Sequence, residues 1–278
     1  MAKITLEYAF NKSQIIKESF PDSRKMAAFY VTIHIFEMFF KDSKFRMWIR
    51  YIDWVERMAD GFQLLPMHTK VSFKYYQGLL QMFQYEYLDS YKNLMFWVEH
   101  ASKDDYEFQS KLQKFLVPLW ILFGDYPSKD LLEEHKLTQY EDLTAACQNG
   151  DLALFEKTIS ENQENFLQAN TYLMIEKLRN VVIRNIFKRI CESQEMHHVD
   201  FKVLLEMYNK ELEQVQKLGL GDFYEEVNIW DLEAILASLI HKGFIRGYIS
   251  HENENIVMAK KDAFPELKTV IENNKSKI

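Results

Sequence analysis

The chain has 278 residues, 47% of them hydrophobic and 15% aromatic, with only 8 Gly and 5 Pro. That composition excludes a disordered chain and argues against a loop-rich all-β fold. A formal net charge of -7 argues against non-specific nucleic-acid binding by the whole surface, so any such role needs a local basic patch.

No apolar run approaches the roughly 20 residues that span a membrane. Residues 1–20 are interrupted by Lys3, Glu7, Lys12, Lys17 and Glu18, unlike a secretion signal. Cys147 and Cys191 fall inside helical patterns without a CxxC neighbour, which suggests neither a disulfide framework nor a zinc module and fits a reducing compartment.

Apolar residues recur at helical spacing, with polar punctuation every 12 to 20 residues, as an array of helical hairpins requires. Helices are predicted over 23–40 and 44–59, with a turn at Asp60-Gly61 and Pro66. Two more lie within 70–101, with stripes Tyr76, Leu79, Leu80, Phe83 and Tyr91, Leu94, Met95, Val98. Gly78 and Ser90 are small enough to let these two backbones approach, as in tetratricopeptide-like repeats. A helix over 105–123 contains Pro118, which should kink it. Ser128 and Thr138 are expected to cap the next two helices, and Asn149-Gly150-Asp151 separates 141–148 from 152–164. A long helix over 172–192 completes the stack.

Beyond His198 the pattern changes to a helix over 199–217, a Gly219/Gly221 loop and a short buried helix striped by Leu232, Ile235, Leu236, Leu239 and Ile240. Gly243 stops that helix, and strands follow over 244–250 and 256–260 around the turn HENEN. Helix, helix, strand, turn, strand is a winged-helix order. The fold class is therefore mainly α: a helical-hairpin, TPR-like solenoid over 1–195, a winged-helix cap over 196–268 and a polar tail over 269–278.

The stretches IEKLRNVVIRNIFKRI (175–190) and DLEAILASLIHKGFIRGYISHENENIVMAKKDAFP (231–265) resemble the PCI domain of proteasome-lid, signalosome and translation-initiation scaffolds. LxxLIxxGxIxGYISH at 236–251 and FPxL at 264–267 resemble its mRNA-export (TREX-two complex) branch and the signalosome-associated relative of that branch. With LVPLWILFGDYPSKDLLEEHKL and NGDLALFEKTI upstream, the similarity runs over about 70–267. It implies a non-catalytic scaffold that pairs with a large Sac/GANP-type PCI subunit and a small acidic Dss/Sem-type protein, reaching RNA or DNA through the composite complex in the nucleus. Signalosome-associated or proteasome-lid-like scaffolding, or a stand-alone nucleic-acid-binding module, are the alternatives. Two features depart from the family: extra residues over 209–226, and an acidic wing, Glu252 to Asn255, where a nucleic-acid-binding wing is basic or neutral.

On a helix over 172–192, Lys177, Arg184 and Lys188 share one arc at about 100° per residue, opposite Ile175, Val182, Ile186 and Ile190. They are expected to form an exposed basic ridge for an acidic partner peptide or RNA phosphates. Arg179 falls in the apolar arc and should be paired with a carboxylate. His241 and Phe244 join the ridge residues as expected partner contacts. Lys242, Arg246, Lys260 and Lys261 are expected to make a compact patch for phosphate. His197-His198, read as helical neighbours diverging by about 100°, does not suggest a metal. No nucleotide-loop, nucleophile-elbow or zinc-protease motif is present in the sequence, so neither a catalytic centre nor a cofactor is expected.

Overall fold

The computed structural model describes residues 2–14, 26–41, 49–100, 106–194, 197–219 and 225–273. The chain divides into two compact units, Met1–Tyr106 and Glu107–Ile278. This division differs from the expected one at 195/196, because the winged helix packs with the helices immediately before it.

In the first unit the helices are α1 (Ala2–Gln14), α2 (Met26–Lys41), α3 (Ile49–Arg57), α4 (Ala59–Gln63), α5 (Met67–Phe83) and α6 (Tyr87–His100). Aromatic side chains fill the core. Phe10 meets Tyr51 and Trp54 edge-on, with centroids 4.7 and 5.1 Å apart, the geometry that ring quadrupoles favour. Tyr51, Ile52, Trp54 and Val55 give α3 its buried stripe. Asp60 and Gly61, expected in the turn, lie inside α4, and the chain turns at Pro66, the other residue expected there and the N-cap position of α5.

The α5–α6 hairpin has the close approach that small residues predicted. Ser90 Oγ donates to the Gly78 carbonyl at 2.7 Å, and a Cβ on Gly78 would lie 2.9 Å from the Leu94 side chain. That contact fixes how α6 is rotated. Its buried face is Tyr87, Ser90, Leu94 and Trp97, so the predicted stripe ending at Val98 is off by one residue and Val98 is exposed.

The second unit opens with α7 (Tyr106–Phe123), which holds Pro118, and α8 (Lys129–Glu134), where Ser128 Oγ accepts from the Leu131 amide at 3.3 Å. Thr138 caps nothing: it begins a 3-10 turn, Thr138–Tyr140, whose N-cap position is Leu137. Then follow α9 (Glu141–Asn149), α10 (Leu152–Gln168) and α11 (Tyr172–Gln194). Gly150 ends α9 at φ 65°, and a Cβ there would lie 2.7 Å from the Ile186 amide nitrogen. Asp151 caps α10 through the Leu154 amide at 2.9 Å.

The winged helix comprises β1 (His198–Asp200), α12 (Phe201–Lys217), α13 (Ile229–His241), β2 (Gly247–Ser250) and β3 (Asn255–Met258), followed by α14 (Leu267–Asn273). The sheet is antiparallel in the order β1-β3-β2, pairing His198 with Val257 and Tyr248 with Val257. β1 was not expected, since three residues are too few to display an alternation. β2 begins later than the predicted 244 because Phe244 and Ile245 are buried and send their amides back to the Leu239 carbonyl. Residues 269–273 belong to α14, with Val270 and Ile271 buried, so they pack as a helix where a polar tail was expected. The ends of the extra segment are tied together: the Asn209 side chain exchanges two 3.0 Å hydrogen bonds with the Val227 backbone.

Candidate partner interface at the winged-helix seam

Helix α11 is covered on nearly every side. Its buried residues include Leu178, Val181, Val182, Ile186, Phe187 and Ile190, and α9, α10 and α12 all pack on it. A helix with that many neighbours has no broad solvent face, and this corrects the expected ridge. Arg184 is 6% exposed. Its guanidinium donates to the carbonyls of Phe264 at 3.0 Å and Pro265 at 2.9 Å and to Asn185 Oδ1 at 2.5 Å, and it lies over the Phe264 ring. Burial lowers its pKa from the usual arginine value. Asn185 Nδ2 reaches the Cys147 carbonyl at 2.6 Å, and one helical turn earlier Asn180 Oδ1 accepts from Lys242 Nζ at 3.1 Å. Asn180, Arg184 and Asn185 thus stitch α11 to α9, to the end of α13 and to the segment before α14.

Lys177 and Lys188 remain at the two ends of this seam, both half-buried. Lys188 Nζ lies 3.7 Å from a Glu192 carboxylate oxygen. Lys177 is close enough to Lys242 to add to the burial that lowers the Lys242 pKa, so these two cations, expected in separate sites, share one. Arg179 is paired as expected, in a fork to Glu156 at 2.8 and 3.1 Å and to Glu176 at 2.5 Å.

The expected phosphate patch is less uniform than the sequence implied. Lys242 is held by Asn180, and Arg246 is ion-paired with Asp262, which offsets its charge. Lys260 and Lys261 are exposed on the segment after β3. His241 is exposed at the end of α13, whereas Phe244, expected at a partner interface, is wholly buried and belongs to the core. His198 opens β1 and is not helical.

A cleft of about 670 Å³ opens beside Arg184, lined also by Tyr126, Asn149, Lys188, Asp262 and Phe264. Its charges are largely engaged within the protein: Asp262 with Arg246, Lys188 with Glu192, and Arg189 with Glu211. Nearby thiols are poor nucleophiles, because burial pushes Cys191 up to about 12 and Cys147 well above its usual value. Among the described residues no three His, Cys, Asp or Glu side chains converge as a metal site requires, and no helix is long and apolar enough to cross a membrane.

Residues 159–260, from α10 past the end of β3, match the PCI domain family. The chain contains a PCI domain. Its helical repeats followed by a winged helix are the PCI architecture. The chain is 28% identical over 257 residues to PCI domain-containing protein 2 of Xenopus laevis, covering 91% of this chain and 61% of that protein. It is 27% identical over 246 residues to Enhanced ethylene response protein 5 of Arabidopsis thaliana, covering 88% and 58%. It is 28% identical over 216 residues to Protein CSN12 homolog of Mycosarcoma maydis, covering 74% and 46%. The chain thus spans about three fifths of the length of the first of these relatives.

The wing of the PCI domain carries features that sequence reading passed over. His251 Nδ1 lies 2.7 Å from Glu233 Oε1 on α13, and the His251 ring lies 5.3 Å from that of Trp230. The hydrogen bond to Glu233 raises the His251 pKa, with Glu254 and Glu252 adding to the effect. Trp230 and His251 are 21 residues apart, beyond the reach of helical or strand periodicity. Asn180 was legible in principle, since it stands three residues after Lys177 and four before Arg184 on the same arc.

Proposed function

We propose that this protein is a non-catalytic scaffold subunit that assembles with a large Sac/GANP-type PCI subunit and a small acidic Dss/Sem-type protein, forming a nucleic-acid-binding platform for nuclear mRNA export. The observation that carries the scaffold reading is the seam itself. Buried Arg184 hydrogen-bonds across it to the segment between the sheet and α14, so helical repeat and winged helix present one rigid surface. The PCI domain and the similarity to PCI domain-containing protein 2 support the choice of complex.

Lys177, Lys188 and His241 are the contacts proposed for the acidic chain, and Lys242, Lys260 and Lys261 those for phosphate. Arg184 and Phe244 leave the contact set because they are buried. A net charge of -7 leaves a small positive area, so nucleic-acid affinity arises in the assembled complex. The test is reconstitution of the three chains followed by RNA titration at low salt. The complex is expected to bind and the single chain not to, with Lys177→Glu and Lys188→Glu releasing the acidic chain. Unchanged assembly in that double variant contradicts the contact set, and failure of the three chains to co-purify contradicts the complex.

Similarity to Protein CSN12 homolog favours a second reading, a signalosome-associated scaffold. Affinity capture from cells with mass spectrometry separates the two, because the co-purifying PCI subunits differ. A fluorescent fusion is expected in the nucleus under the first reading.

A further inference from the structure

Among the described residues of the winged helix, the largest exposed aromatic surface is Trp230, 67% exposed on the first turn of α13. Its backbone is fixed: Asn228 Oδ1 accepts from the Trp230 and Asp231 amides at 2.8 and 3.1 Å, and Asp231 Oδ2 accepts from the Asn228 amide at 3.1 Å. Its ring leans on the His251 imidazole at 38°, and Glu233 Oε1 holds that imidazole through Nδ1 at 2.7 Å. The wing is pinned too, since Asn253 Nδ2 donates to Ser250 Oγ at 2.8 Å and the Phe201 amide donates to the Glu254 carbonyl at 2.8 Å. An indole is thus displayed in a set position rather than left on a loose loop.

Its surroundings select the occupant. Asp231 and Glu233 share its helix, and Glu252 and Glu254 stand on the wing close enough to His251 to act on its charge. Phosphates are repelled by such a neighbourhood. A guanidinium is attracted by it and also stacks on an indole face, with its fork matching a carboxylate.

We propose that Trp230, with the His251 ring against it and Glu252 and Glu254 on the same wing as His251, is a docking site for an arginine-bearing peptide segment of a partner protein. The site is separate from the lysine-lined surfaces proposed above and does not depend on them. Arginine stacks on the indole while the wing carboxylates take its N–H donors, and His251 keeps the ring from collapsing onto the domain.

The test uses the full chain and an eight-residue peptide of alternating arginine and glycine, with affinity measured by titration calorimetry in every variant and contact followed through the Trp230 indole N–H resonance wherever Trp230 is retained. The expected result is a saturable shift of that resonance. Trp230→Ala should weaken affinity by about five- to twenty-fold, and Glu252→Gln with Glu254→Gln should weaken it comparably. Circular dichroism should show both variants folded, because all three side chains are exposed. Absence of binding at low salt overturns the proposal. So does binding that neither variant changes, which would mean general attraction to an acidic protein. A shift of the same resonance by oligouridine in place of the peptide overturns it in favour of base stacking.

Discussion

The seam and the wing invert each other. At the seam, a strongly basic residue, Arg184, is buried among carbonyl acceptors. At the wing, a large aromatic residue, Trp230, stands in solvent beside carboxylates. A helical wheel assigns polar residues outward and aromatic residues inward, and the first assignment fails where a helix has neighbours on every side, the second on the first turn of α13. Polarity in this protein marks the internal joint, and the exposed indole marks the contact proposed for the wing.

The largest effects are expected at the joint. Arg184→Met leaves the Phe264 and Pro265 carbonyls without their donor inside the domain and should lower unfolding stability by about 3 kcal/mol in urea titration. Gly150→Ala should cost a similar amount, about 2–3 kcal/mol, since it combines a left-handed backbone with a Cβ 2.7 Å from the Ile186 nitrogen. Glu156→Ala, which strips the fork from half-buried Arg179, should cost about 2 kcal/mol.

Effects at the wing should be much smaller. Trp230→Ala is expected to change unfolding stability by less than about 0.5 kcal/mol, because its side chain is already in water. A loss comparable to that of Arg184→Met would mean that Trp230 is structural and would erase the contrast between the two regions.

The smallest effect is the pH response of the wing. Glu233 raises the His251 pKa above the ordinary imidazole value, so the folded state binds this proton more tightly than the unfolded state does. The contribution is complete below about 6.5 and is lost as pH rises through the higher folded value. Imidazole proton shifts should report a raised midpoint that falls in Glu233→Gln. An unshifted midpoint in the wild-type chain would remove the latch between wing and α13.

How much of this was legible in the sequence follows from the range of each signal. The α5–α6 contact through Gly78 and Ser90, the cap Ser128, the break at Asn149-Gly150-Asp151 and the order of the winged helix all rest on local chemistry within a few residues. β1 was missed because a three-residue strand has no period, and its stability comes from β3, more than fifty residues later. The ridge failed for a different reason. Val181 and Cys191 lie in the same arc as Lys177, Arg184 and Lys188, and both are buried, so this face of α11 was never wholly polar. An arc that mixes arginine, lysine, valine and cysteine describes a packed face with polar anchors. The Trp230–His251 pair had no sequence signal, because it is created by the fold of α13 against the wing.

The most direct measurement is hydrogen exchange on Arg184→Met beside Lys188→Glu. With Arg184 as the internal anchor, Arg184→Met should speed amide exchange through 262–273 and β3 and leave α5 and α6 unchanged, while Lys188→Glu alters neither region. Native protection through 262–273 in Arg184→Met, together with loss of an acidic partner in that variant, would place the guanidinium on an outer surface and contradict the buried seam.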